Sequence, residues 1–131
     1  MAQSPPLDIL LVDDHQDSLA FLARLLRTQG WGVRTAATVA EALTESRRAP
    51  FDLLLCDLGL PDGDGCELLG QLLAEASVAD HASPVRAIAL TGAALDEDHV
   101  RTRAAGFAAH LPKPVDFPSL LRAVRDVTGR A

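Results

Sequence analysis

The chain is short of cysteine and of positive charge, with two Cys and 12 Lys and Arg against 18 Asp and Glu in 131 residues. Cys56 and Cys66 lack the C-x-x-C spacing of a zinc or redox site and read as free thiols of a reducing compartment. A net charge of -6 excludes non-specific nucleic-acid binding, which draws on phosphate neutralisation by Lys and Arg, so any effect on DNA belongs to another domain. The opening "MAQSPP" has no basic n-region, and the apolar block Leu7 to Val12 is too short for a signal peptide or a membrane span. A cytoplasmic protein is expected. No repeat or low-complexity tract is present, and no G-x-G-x-x-G or Walker loop follows the first apolar run.

What is present is a globular pattern, 48% apolar and 23% charged, in a chain of single-domain length. Five apolar runs alternate with helical patterns: Leu7 to Val12, Trp31 to Ala36, Phe51 to Cys56, Val85 to Leu90 and Phe107 to Leu111. The first, third and fourth are apolar without strict alternation, as strands covered on both faces are; the second mixes in polar residues and suits an edge. Leu19, Leu22, Ala23 and Leu26 mark one face of a first helix, with Gly30 placed to stop it. Val39, Ala42 and Leu43 begin a second, and Leu68, Leu69, Leu72 and Leu73 a third. A weaker fourth runs from Asp96 to Ala105, ending at Gly106, and Phe117, Leu120, Leu121 and Val124 define the last. Strand and helix in alternation predict an α/β domain over residues 7–128, a doubly wound three-layer sandwich, with residues 1–6 and 129–131 as tails.

Such sheets bind ligands at the carboxyl ends of their strands. There the sequence places Asp13 and Asp14, Asp57, Thr91 and Lys113. A lone Asp after a strand is commonly a helix cap, and Asp13 or Asp14 could cap the first helix. Three converging carboxylates are another matter: each pair at about 4 Å costs on the order of 4 kcal/mol at an effective dielectric near 20, against about 1 kcal/mol from a cap. Either some protonate or a cation sits among them. Oxygen donors point to a hard ion, Mg²⁺ before Ca²⁺, because "DGDG" at Asp62 to Gly65 lacks the remaining ligands of a calcium loop. Asp57, alone at a strand end beside a loop of small residues, is the candidate nucleophile toward phosphorus, with Lys113 and Thr91 to neutralise phosphoryl oxygens and Gly59 to permit close approach.

At these residues the sequence resembles the receiver domain of two-component response regulators, from about Leu7 to Val127. The motifs are "VDD" at Val12 to Asp14, "CDLGLPDGDG" around Asp57, "LTG" at Leu90 to Gly92 and "KP" at Lys113 and Pro114. The resemblance implies a flavodoxin-like five-stranded parallel sheet of order 2-1-3-4-5 with five helices. It implies that Asp57 accepts a phosphoryl group from the phosphohistidine of a sensor histidine kinase or a histidine phosphotransfer protein. It further implies Mg²⁺ held by Asp13, Asp14, Asp57 and the Gly59 carbonyl, phosphoryl contacts from Thr91 and Lys113, and a cis Lys113 to Pro114 bond.

One departure stands out. Much of the family has Tyr or Phe three residues before the Lys, an aromatic that moves with the Thr; here it is His110. His110 is either an ordinary half-exposed residue or a replacement switch with a pH dependence. His15 follows the acidic pair and could shape its edge, but it, His81 and His99 read as mainly solvated, without metal-ligand spacing, and Trp31 starts the second strand at the end away from the site. A phosphorylated receiver would switch the surface of helix four, strand five and helix five, a surface also suited to a homodimer. A docking module that is never phosphorylated would have lost Asp57, Lys113 or the acidic pair, and an aspartate-nucleophile phosphatase would carry D-x-D after the strand; neither mark is found. No separate substrate turnover is therefore expected. A stand-alone regulator, the receiver of a hybrid histidine kinase and the receiver of a transcription factor all fit this pattern; the run Gly106 to Asp116 resembles receivers attached to hybrid kinases, which would make Ser4 to Pro6 the end of a linker.

Overall fold

A computed structural model describes residues 7–78, 85–92 and 96–129, with side chains for all of these except 76–78 and 96–99. The expectations for Ser4 to Pro6, His81, the His99 side chain and the last two residues lie outside the described residues.

The elements run β1 (Asp8–Val12), α1 (Gln16–Arg27), β2 (Gly32–Ala36), α2 (Val39–Arg48), β3 (Leu53–Asp57), β4 (Gly59–Leu60), β5 (Gly63–Asp64), α3 (Gly65–Val78), β6 (Arg86–Thr91), α4 (Asp96–Ala105), β7 (Ala109–Pro112) and α5 (Phe117–Thr128). The main sheet is parallel and ordered β2-β1-β3-β6-β7, which is the expected 2-1-3-4-5 once the hairpin of β4 and β5 is set aside. That hairpin went unpredicted because strands of two residues carry no periodicity.

The strands are apolar without alternation because both sheet faces are covered, and the pleat sends successive side chains to opposite cores. Ile9, Leu11, Leu53, Leu55, Ile88 and Leu90 meet Leu19, Leu22 and Leu26 of α1 and Leu120 and Val124 of α5. Leu10, Val12, Leu54, Cys56, Ala87 and Ala89 meet Val39 and Ala42 of α2 and Leu68, Leu69 and Leu72 of α3. Helix α4 packs chiefly on α3 and β7, and its residues Asp96 to Ala105 have no continuous apolar face.

Polar caps fix where helices start. Asp116 accepts from Ser119 N at 3.0 Å at the start of α5, and Thr38 from Glu41 N at 3.0 Å at the start of α2. The "DGDG" carboxylates serve the same end. Asp62 accepts from Val39 N at 2.8 Å and Ala40 N at 3.1 Å, donors left over in the first turn of α2. Asp64 accepts from Glu67 N at 2.9 Å in α3 and pairs with Arg101 of α4. The loop after β3 is thereby pinned to three helices.

Candidate functional site

Strand register brings the site together. Val12 pairs with Cys56, so Asp13 lies beside Asp57; Asp57 pairs with Leu90, and Thr91 with Pro112, so Thr91 and Lys113 follow along the same edge. Backbone bonds continue past the strands: Asp13 N donates to Ala36 O (3.1 Å), Leu58 N to Leu90 O (3.2 Å) and Lys113 N to Thr91 O (2.8 Å). The backbone hydrogen-bond ladder thus extends one residue past the ends of β1, β3 and β7. The Lys113–Pro114 peptide is cis.

Asp13 is fully buried, Asp57 is buried and Asp14 lies open to solvent. Lys113 Nζ donates to Asp57 Oδ2 at 2.8 Å and to Asp13 Oδ2 at 3.2 Å. Gly59 N donates to Asp57 Oδ1 at 3.1 Å, so each oxygen of Asp57 has a donor. Burial alone would raise the Asp13 carboxyl, but hydrogen bonds from His15 and the Lys113 ammonium outweigh it and hold the group below its ordinary value. For Lys113, burial alone would lower the ammonium, and the bonds and charges of Asp57 and Asp13 more than reverse that.

Neither Asp13 nor Asp14 caps α1, whose N-cap position is His15 without a side-chain cap bond. Asp13 Oδ1 instead accepts from His15 N at 2.9 Å, and the ring Nδ1 of His15 lies 3.1 Å from the same oxygen. The ring is 67% exposed, as a solvated histidine would be, yet its Nδ1 is turned onto the acidic group. The sequence offers His15 as a residue that could shape the edge of the acidic pair, but not its ring contact. Its one signal was its position directly after the acidic pair.

The donor set fits a hard divalent cation. Three carboxylates and one ammonium leave two negative charges, and ligand atoms of Asp13, Asp14, His15 and Asp57 all lie within 4.8 Å of one another. Gly59 is exposed, and a Cβ there would meet nothing within 4 Å, which leaves that side open to reactants. Gly65 differs. A Cβ at this buried position would stand 2.9 Å from Asp57 O, 3.1 Å from Cys56 Sγ and 3.2 Å from Leu58 Cδ2, so a side chain there must displace the backbone that carries Asp57. Gly65→Ala is expected to lower stability by about 1–3 kcal/mol, the range for overpacking, and to weaken cation binding; chemical denaturation and calorimetry check both.

Thr91 is buried and lines a cavity of about 360 Å³ shared with Thr102, Phe107, His110 and Pro112. His110 is half-buried and its Nδ1 lies 3.1 Å from Thr102 Oγ1 of α4. The ring and Thr91 thus border one space. The thiol of Cys56, beneath the site, is pushed up by burial and by the Asp57 charge, which leaves it inert.

Comparison with known proteins agrees with this geometry. The family model for the response regulator receiver domain matches residues 9–125. An uncharacterized 14.6 kDa protein in the sodA1 3'region of Leptolyngbya boryana is 36% identical over 119 residues, covering 91% of this chain and 88% of that protein. The transcriptional regulatory protein GlrR of Escherichia coli is 36% identical over 121 residues, covering 92% of this chain but only 26% of GlrR. The chain therefore spans about a quarter of the length of that regulator. The crystal structure of a CheY-like response regulator receiver domain protein from Methanospirillum hungatei superposes with a TM-score of 0.82 at 32% identity, covering 93% of each chain.

The chain belongs to the response regulator receiver domain family. It is a receiver of two-component signalling with the acidic pocket of a phosphoacceptor domain, a class whose partners are histidine kinases, and the docking-module alternative is not favoured. No helix among the described residues is long and apolar enough to cross a membrane.

Proposed function

We propose that Asp57 is the phosphoacceptor and takes its phosphoryl group from the phosphohistidine of a sensor histidine kinase or a histidine phosphotransfer protein. One observation carries this reading: a buried strand-end carboxylate with an ammonium 2.8 Å away, in a cluster that retains two negative charges. An Asp57 oxygen forms the new O–P bond as the N–P bond of the donor breaks, its electron pair returning to the imidazole nitrogen. Lys113, already within reach of Asp57 and Asp13, is placed to follow the charge onto the phosphoryl oxygens. Asp13, Asp14, Asp57 and the Gly59 carbonyl would hold Mg²⁺, which when bound neutralises the equatorial oxygens of the transferred group.

Thr91, at the end of β6, would supply a hydroxyl to the phosphoryl group and draw on the cavity it shares with His110. Motion of His110 against Thr102 would then reach α4, and the surface of α4, β7 and α5 would change its affinity for a partner, including a second copy. The chain assists its own phosphorylation and dephosphorylation and turns over no separate substrate. It acts in the cytoplasm, alone or as the receiver of a hybrid kinase.

The test is intact mass after incubation with Mg²⁺ and acetyl phosphate. A phosphoryl adduct that is labile to hydroxylamine and abolished by EDTA is expected. No adduct under fast quenching, from either acetyl phosphate or a phosphorylated histidine phosphotransfer protein, would sink the reading.

A further inference from the structure

We propose that His15 Nδ1 is a side-chain ligand of the divalent-cation site, and that it biases the site toward imidazole-binding first-row ions such as Ni²⁺ relative to Mg²⁺. The inference rests on the cation-assisted reading of the acidic pocket and adds to it a ligand and a selectivity.

His15 sits at the N-cap position of α1 with extended backbone (φ -88°, ψ 103°), and its ring makes no bond to the helix. Its N–H is anchored to Asp13 Oδ1 at 2.9 Å, which fixes the residue over the carboxylates. Nδ1 then lies 3.1 Å from Asp13 Oδ1, 3.2 Å from Asp14 Oδ1 and 3.9 Å from Asp57 Oδ2. The 3.1 and 3.2 Å spacings, the first also a hydrogen-bond distance, match neighbouring ligands around one ion, and 3.9 Å falls between neighbouring and opposite positions. With metal–ligand bonds of about 2.1 Å, neighbouring ligands of an octahedron stand about 3.0 Å apart and opposite ones about 4.2 Å.

The two nitrogens of the pocket also divide the oxygens between them. Lys113 takes Oδ2 of Asp13 and of Asp57, whereas His15 lies nearest Oδ1 of Asp13 and of Asp14 and has only Asp57 Oδ2, at 3.9 Å, in common with Lys113. A ligand role for His15 beside Asp13 Oδ1 and Asp14 Oδ1 therefore leaves the Lys113 bond to Asp13 Oδ2 intact. A neutral imidazole adds a donor atom but no charge, so the two negative charges left by three carboxylates and one ammonium still call for a divalent ion. Carboxylate, carbonyl and water oxygens suit Mg²⁺, whereas imidazole suits the later first-row ions, whose affinities rise from Mn²⁺ to Ni²⁺. Mixing one nitrogen into an oxygen set shifts preference without abolishing Mg²⁺ binding.

The competing role for the same contacts is a protonated ring that plugs the pocket and competes with metal. Calorimetry on the untagged full chain separates the two, with Mg²⁺ and Ni²⁺ titrated into wild type, His15→Ala and Asp14→Asn, and with Ni²⁺ binding counted only where Mg²⁺ displaces it. His15→Ala is expected to weaken Ni²⁺ by roughly tenfold or more, since even outer partners of ligands are worth 10–100-fold, while Mg²⁺ stays within roughly twofold. Asp14→Asn should weaken both ions. In NMR spectra, Ni²⁺ should shift and broaden the His15 ring protons. If His15→Ala leaves Ni²⁺ unchanged, or tightens both ions, the ligand role is overturned and the acidic site stands. If wild type binds no Mg²⁺ at all, the cation-assisted reading itself falls.

Discussion

Asp57→Asn will accept no phosphoryl group: under conditions that give the wild-type adduct, its intact mass should not change. The carboxamide keeps the size and shape of the side chain, and its oxygen can still accept one of the bonds now given by Lys113 Nζ and Gly59 N. What it loses is the anionic oxygen proposed to attack phosphorus. The substitution also lowers the pocket's charge, because two carboxylates and one ammonium leave one negative charge where three left two. Weaker Mg²⁺ binding should accompany the loss of the adduct. A residual adduct on Asp57→Asn of wild-type yield would move the acceptor to another carboxylate, with Asp14 the first to examine because it is open to solvent.

Lys113→Ala should destabilise the metal-free protein by about 2 kcal/mol, or about 6–10 °C in Tm. The ammonium is the strong donor shared by Asp13 Oδ2 and Asp57 Oδ2, and Asp13 is fully buried. Its removal leaves like charges facing each other in a poorly solvated place. Mg²⁺ should restore most of the lost stability, because a divalent ion supplies the missing charge.

The pH dependence has a definite sign. The Asp13 carboxyl is held below its ordinary 3.8, so its contribution is present above that value and is lost as pH falls through the lower folded value. The Lys113 ammonium is raised above its ordinary 10.5, so its contribution is present below that value and is lost as pH rises through the higher folded one. In Lys113→Ala the acid loss should begin at higher pH and the alkaline loss should vanish. Thermal melts across pH, without metal, check this; an unchanged Tm near neutral pH would remove Lys113 from the electrostatics of the pocket.

Much of the fold was legible because its signals are local. Apolar runs without alternation announced strands covered on both faces, and the residue after each run could be read directly. Boundaries moved slightly: Trp31 precedes β2, and the last strand begins at Ala109, since Phe107 turns into the core beneath α3. The acidic pair, Asp57 and Lys113 were visible as types whose convergence made chemical sense. His15 was visible only as a neighbour of the acidic pair, because a lone histidine at a helix start has no periodic mark, and its ring contact is to an Asp13 oxygen positioned by the sheet. The roles of Asp62 and Asp64 were hidden for the same reason. Their partners Val39 and Arg101 lie 23 and 37 residues away.

By itself the sequence determined which residues end each strand, because backbone periodicity and residue type are properties of short stretches. It also determined that the pocket carries excess negative charge. Tertiary structure alone decided which oxygen faces which donor: Lys113 on the Oδ2 atoms, His15 on Oδ1 of Asp13 and Asp14, Gly59 N on the remaining oxygen of Asp57. Hydrogen bonds and ion pairs act over about 3 Å and require direction, whereas separation along the chain says nothing about direction. Only strand register, set by both apolar cores at once, brings groups 100 residues apart such as Asp13 and Lys113 within that range.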